Sequence, residues 1–162
     1  MEIRLRSQID REEFDYLALI SALSKYKNPR AKITTLLRKG VIVRVKKGLY
    51  VFGEEYRRRP ISRELLANLI YGPSFVSLDY ALFIHGLIPE RVTTVTSVTS
   101  KRARVFETPV GNFLYRKAPL AGFHLGVKRV EQPSIAYLLA EPERALVDKM
   151  RDHRAGLIRS QK

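Results

Sequence analysis

Apolar residues recur every three to four positions between Glu13 and Lys25, at Phe14, Leu17, Leu19, Ile20 and Leu23. That spacing predicts a first helix with one buried side. Residues 1–12 carry many charges and are expected to be peripheral. A second helix is signalled from Asn28, whose side chain can accept from the open N–H groups of a first turn. Pro29 supplies a φ suited to the first helical position. Within this helix Ile33, Leu36 and Leu37 fall on one side. Lys32, Thr34, Thr35, Arg38 and Lys39 project from the remainder, and Gly40 is placed to stop it.

The pattern then changes. Val41–Val45 and Leu49–Phe52 are β-rich, and Lys46-Lys47-Gly48 joins them, with Gly48 free to take a positive φ. A basic helix followed by this hairpin reads as a recognition helix and its wing. Residues 54–61 are expected to be a linker. Ser62 opens a helix over Arg63–Tyr71 that Gly72-Pro73 breaks. Residues 77–86 read as a short helix ended by glycine, and Val92–Thr99 as a strand. Arg104–Glu107 and Asn112–Arg116 flank a Thr-Pro-Val-Gly turn and predict a hairpin. Phe123–Val127 is expected to be a strand. Ile135–Leu139 is either a buried strand or the lead-in to a final helix, which Pro142 starts. The expected fold class is α+β: a winged helix–turn–helix over residues 1–60, then a mixed α/β domain over 61–162.

Charge sharpens this division. The 162 residues carry a formal net charge of +14. Residues 1–60 hold 15 Lys and Arg against 7 Asp and Glu, residues 61–100 hold 2 against 3, and residues 101–162 hold 13 against 6. Two basic blocks flank a neutral middle, as expected of a chain that meets a polyanion. There is no cysteine, which excludes disulfides and thiolate metal sites. No apolar run reaches the roughly 18–20 residues of a membrane span, and Met1-Glu2-Ile3-Arg4 does not open a signal peptide, so a cytoplasmic location is expected.

Catalytic patterns are weak. His85, His124 and His153 are scattered, and Gly72-Pro73-Ser74 lacks the closing glycine of a nucleophile elbow. Glu141, Glu143 and Asp148 fall on one helix, where dipole complementation and surface pairing explain them better than acid–base work. We therefore expect no catalytic residue, no metal site and no cofactor.

Three segments carry a resemblance: S-L-D-Y-A-L-F-I-H-G-L-I-P-E-R-V over 77–92, T-S-V-T-S-K-R-A-R-V-F-E-T-P-V-G-N-F-L-Y-R over 96–116, and A-E-P-E-R-A-L-V-D-K over 140–149. Taken together, they make the chain resemble the AbiEi family of antitoxins, the regulator half of type IV toxin–antitoxin systems, over roughly residues 14–150. The resemblance implies an N-terminal winged helix–turn–helix, a C-terminal antitoxin domain from about residue 74, and repression of the chain's own operon through repeated operator DNA. It also implies functional pairing with a nucleotidyltransferase-like toxin without a stable complex, and leaves open a homodimer on DNA. Members of that family often run further beyond the position of Asp148, so a truncated C-terminal domain is an expectation here. Only one clear helix precedes the basic one, rather than a separated pair.

Candidate contacts follow from side-chain chemistry. Arg and Lys donate to guanine edges, and Thr reaches bases or phosphates. Lys32, Thr34, Thr35 and Arg38 are assigned to base or near-base contacts on duplex DNA, with Lys39 on the same surface and Arg30 at a phosphate. Arg44, Lys46 and Lys47 of the wing would meet the backbone or adjacent minor groove, positioning rather than specifying. Arg57, Arg58 and Arg59, with Lys101 and Arg102, are secondary candidates for nucleic-acid contact. The alternative function is a solitary regulator, or an RNA- or protein-interaction module using the second basic block. If that block bound RNA, aromatic side chains would be expected beside Lys101 and Arg102 to stack bases.

Overall fold

The computed structural model describes residues 2–160 and shows a mixed α+β chain with two separate sheets. It divides into two compact units, up to Ser62 and from Arg63 onward.

The first unit runs α1 (Glu2–Gln8), β1 (Glu13–Asp15), α2 (Tyr16–Ala22), α3 (Pro29–Arg38), β2 (Ile42–Lys46) and β3 (Leu49–Phe52), closed by a single 3₁₀ turn over Glu54–Tyr56. Its sheet has the order β1-β3-β2, all antiparallel. β3 is central, and all four of its residues are buried. The N-terminal residues are not peripheral. Leu5 and Ile9 join the core with Phe14, Leu19, Leu23, Ile33, Leu36, Val41, Ile42, Tyr50 and Phe52. Arg6 is buried as well, its guanidinium 4.4 Å from the Phe52 ring centroid and paired with the buried Glu12 carboxylate.

The helix expected over 13–25 starts later and is shorter. Phe14 lies in a strand, registered against Tyr50 and packed on the Phe52 ring at 4.9 Å. Asp15 then caps α2, its Oδ1 accepting from Ala18 N at 2.8 Å. Leu17 fits the helical period of Phe14, yet it is 75% exposed, because the strand end rotates the helix that follows. The second helix begins as its sequence predicts, with Asn28 Oδ1 accepting from Ala31 N and Pro29 in the first turn.

The second unit comprises α4 (Arg63–Ile70), β4 (Ser74–Val76), α5 (Leu78–Ile84), β5 (Val95–Thr99), β6 (Arg104–Thr108), β7 (Gly111–Lys117), β8 (Val127–Gln132), β9 (Ile135–Ala140) and α6 (Pro142–Ser160). The sheet order is β6-β7-β5-β4-β9-β8. β5 with β7 and β4 with β9 are parallel, and the other neighbours are antiparallel. Helices cover both faces. Tyr115 on β7 donates its hydroxyl to Ala67 O of α4, while the next residue, Arg116, reaches Asp152 of α6 from the other side. This alternation is the two-residue period of a strand.

The strand expected at 123–127 is displaced. Residues 121–126 form a turn and β8 runs from Val127 to Gln132, paired along its whole length with β9. Arg144 holds the turn in place. Its Nη1 donates to the carbonyls of Gly122, Phe123 and Leu125, and its Nε donates to Asp148. Asp148 is itself buried and accepts from Ser77 Oγ at 2.7 Å. Among the described residues, no helix is long and apolar enough to cross a membrane.

Candidate nucleic-acid interface

The candidate site is built on α3 and the β2–β3 hairpin. Burial of Ile33 and Leu36 fixes the rotation of α3 about its axis. Arg30, Thr34 and Arg38, spaced four residues apart, then form a line on the exposed side. Lys39 is exposed just past the helix end. Lys32 departs from this line: it is half-buried, with Nζ 4.8 Å from the Tyr26 ring centroid. The hydroxyls of Thr34 and Thr35 donate back to Arg30 O and Ala31 O, one turn earlier. Their donor protons are therefore used within the helix, and each hydroxyl must rotate to donate to a phosphate or base acceptor.

Backbone hydrogen bonds lock the end of α3 to the hairpin. Val41 N donates to Leu36 O at 3.0 Å, and Gly53 N donates to Val41 O at 2.8 Å. Gly40 takes φ +73°, and Gly53 presses so closely on it that an added Cβ would lie 1.9 Å from the Gly40 carbonyl oxygen. Only glycine fits at 53. The helix terminus and the start of β2 thus form one stiff corner. Arg44 and Lys47 are exposed on the hairpin, and Lys46 is half-buried beside a register shift in the ladder. Gly48, at φ +85°, makes the tight return.

Among the described residues, Arg30, Arg38, Lys39, Arg44 and Lys47 hold no ion pair. Solvated cations on a rigid frame raise the local concentration of polyanions without first having to break an internal contact.

The other predicted cations fall elsewhere. Arg57 donates from Nε to Phe52 O at 2.8 Å. Arg59 bonds Asp10 O at 3.1 Å and lies 3.5 Å from the Glu12 carboxylate, and Arg58 lies 3.6 Å from Asp10. Arg58 and Arg59 tie the segment after β3 to the segment after α1, and Arg57 folds back on the end of β3. Lys101 and Arg102 sit in the second unit, exposed, in the turn between β5 and β6. Beside them the fold gathers Tyr71, Arg104 and Phe106, a cluster that sequence spacing did not reveal because Tyr71 comes from just past the end of α4, thirty residues upstream. The register of β6 on β7, which sets Arg104 against Tyr115, is the signal that would have found it.

Buried titratable groups outside the interface serve packing. Glu13 accepts from Ser62 N at 2.6 Å, yet burial outweighs that bond and raises its carboxyl above the ordinary value. Burial also raises Tyr115, and burial together with the Glu64 carboxylate raises Tyr80. His85 Nε2 lies 2.8 Å from Ala140 O and acts as its donor. Among the described residues, no three His, Asp or Glu side chains converge to hold a metal ion.

No protein-family model matches the chain, and comparison with curated proteins finds no match.

Proposed function

We propose that this protein is a DNA-binding transcription regulator whose first unit works as a winged helix–turn–helix. α3 enters the major groove, and the β2–β3 hairpin rests on the flanking backbone. The observation that carries this reading is the exposed line Arg30–Thr34–Arg38, whose two arginines hold no ion pair, on a helix locked by Gly40 and Gly53 to a cationic hairpin. Arg38, at the exposed end of the line, reads a base edge, and Arg30, in the first turn, meets a phosphate. Arg44 and Lys47 position the wing. Lys32, drawn over Tyr26, is a phosphate contact at the shoulder of the helix rather than a reader of bases.

The antitoxin part of the proposal rests on the resemblance of residues 77–92, 96–116 and 140–149. On this reading the protein represses its own operon and offsets a nucleotidyltransferase-like toxin, without catalysis, metal or cofactor of its own.

The test is a titration against DNA from upstream of its own gene and against a scrambled duplex, at low and physiological salt. A dimer neutralising about 6–10 phosphates should lose roughly 10³–10⁵ in affinity between 50 and 200 mM salt. A preference for the upstream DNA that survives physiological salt and is lost in Arg38→Ala supports the proposal. Equal, salt-labile binding to both duplexes removes the regulator reading.

A further inference from the structure

We propose that the second unit carries a separate binding site for single-stranded nucleic acid, formed by the 100–104 turn, the β6 edge of the sheet and Tyr71. This goes beyond the duplex-binding role of the first unit and uses none of its residues.

Three cations, Lys101, Arg102 and Arg104, lie within four positions and are all exposed. Among the described residues none of them holds an ion pair. Two half-exposed rings lie beside them. Lys101 Nζ is 5.5 Å from the Tyr71 ring centroid, and the Arg104 guanidinium is 4.6 Å from that of Phe106 and 5.8 Å from that of Tyr71. Tyr71 and Phe106 are 5.7 Å apart, and both rest on the fully buried Tyr115, at 5.2 and 5.6 Å. The rings are therefore pre-positioned from beneath. The turn is pinned too. Tyr71 donates its hydroxyl to Arg102 O at 3.2 Å, Lys101 N donates to Thr99 Oγ1, and Thr99 Oγ1 donates to Pro73 O.

An edge strand needs charge to discourage pairing with another chain, and β6 is an edge strand. That requirement explains exposed arginine. It does not explain two aromatic rings held at the surface beneath the cations. Strand alternation sets Glu107 with Val105 on the opposite face, so no carboxylate of β6 shares the aromatic side.

Cations beside half-exposed rings suit a ligand that has both phosphates and accessible base faces. A duplex hides its base faces in the stack, whereas an unpaired strand offers them to rings and guanidinium planes. The shared chemistry is thus that of unpaired RNA or DNA.

The full chain should be titrated by fluorescence anisotropy with labelled oligouridylate and oligothymidylate of about 12 nucleotides, and with a duplex of the same length. Phe106→Ala should weaken single-strand binding by about 5- to 100-fold and leave duplex binding unchanged. Lys101→Gln and Arg102→Gln, on exposed side chains where folding is not at issue, should each weaken it and flatten its salt slope by about 0.7. Arg38→Ala should lower duplex binding alone, which separates this site from that of the first unit. A preference for the uridylate strand would assign RNA, and equal affinity would assign either strand; both support the site. The proposal is overturned if the two Gln variants bind single strands as the parent does, or if they lose duplex and single-strand affinity equally. It also fails if polyglutamate displaces the single strand at equal charge concentration, since the site would then recognise acidic protein surface.

Discussion

α3 and α6 are both basic helices, and the fold uses them in opposite ways. α3 has Arg30, Lys32 and Arg38 and no acidic residue. α6 carries Arg144, Lys149 and Arg151 among Glu143, Asp148 and Asp152. Three of its cations are engaged, Arg144 and Arg151 with Asp148 and Lys149 with Asp79 of α5, while Arg154 is exposed. In α3, Arg30 and Arg38 face solvent with no ion pair. Cationic density along a sequence therefore says little about availability. What matters is whether acids lie one turn away on the same helix or on a neighbour packed against it. Charge held internally is spent on the fold, and charge left alone can meet a ligand.

The sharpest way to break this contrast is at Asp148. Asp148→Ala would leave the Arg144 guanidinium, which is largely buried, without its carboxylate, and Ser77 without its acceptor. Removing one partner of such a pair costs about 3–5 kcal/mol, so denaturant unfolding of the second unit should shift strongly. A loss below 1 kcal/mol would show that α6 is not held as described.

Gly53→Ala acts on the other helix through its anchor. The added Cβ meets the Gly40 carbonyl, so the corner must move, at a cost of about 1–3 kcal/mol. Duplex affinity should fall along with thermal stability, because α3 loses its fixed relation to the hairpin. Retained affinity in a destabilised protein would show that the corner does not position the helix.

Arg38→Ala should separate binding from stability. Unfolding should change by less than about 0.5 kcal/mol, as for an exposed site, while binding to the upstream DNA weakens by about 1–3 kcal/mol. The reverse pattern would place Arg38 among the internally engaged cations, like Arg144.

The smallest effect concerns Glu13, a buried acid without the two arginines that Asp148 enjoys. Its carboxyl is raised by burial, so the folded chain holds that proton more tightly than the unfolded chain does. The resulting stabilisation is full below the ordinary carboxyl value and is lost as pH rises through the folded value. Glu13→Gln, which keeps an acceptor for Ser62 N, should therefore gain in melting temperature relative to the parent as pH rises from about 4 to about 8. A constant difference across that range would mean that Glu13 titrates alike in both states.

Much of the local architecture was legible because it depends on neighbours in sequence. Asn28 and Pro29 start α3, the 3.6-residue period orients Ile33 and Leu36 inward, and Gly48 turns the hairpin, all through contacts a few residues long. The exposed identity of Thr34 and Arg38 follows from the same period, whereas Lys32 and Thr35, expected to project with them, are half-buried. The errors arose where a distant partner decided the outcome. Phe14 satisfies a helical pattern, but Tyr50 and Phe52 recruit it to a strand. Residues 1–12 look like a charged tail until the Arg6–Glu12 pair is seen packed on Phe52. The 121–126 turn holds Phe123 against Phe75 and takes its shape from Arg144, which lies eighteen residues beyond Gly126.

By itself, then, the sequence determined the α+β content, the two basic blocks and which face of α3 is polar, since periodicity and composition are properties of adjacent residues. Only the tertiary structure decided which cations are paired within the fold, which rings lie beneath Lys101 and Arg104, and that Gly53 must have no side chain. Those facts depend on approaches between segments that are remote along the chain, where Coulomb energy and steric overlap change within an ångström or two.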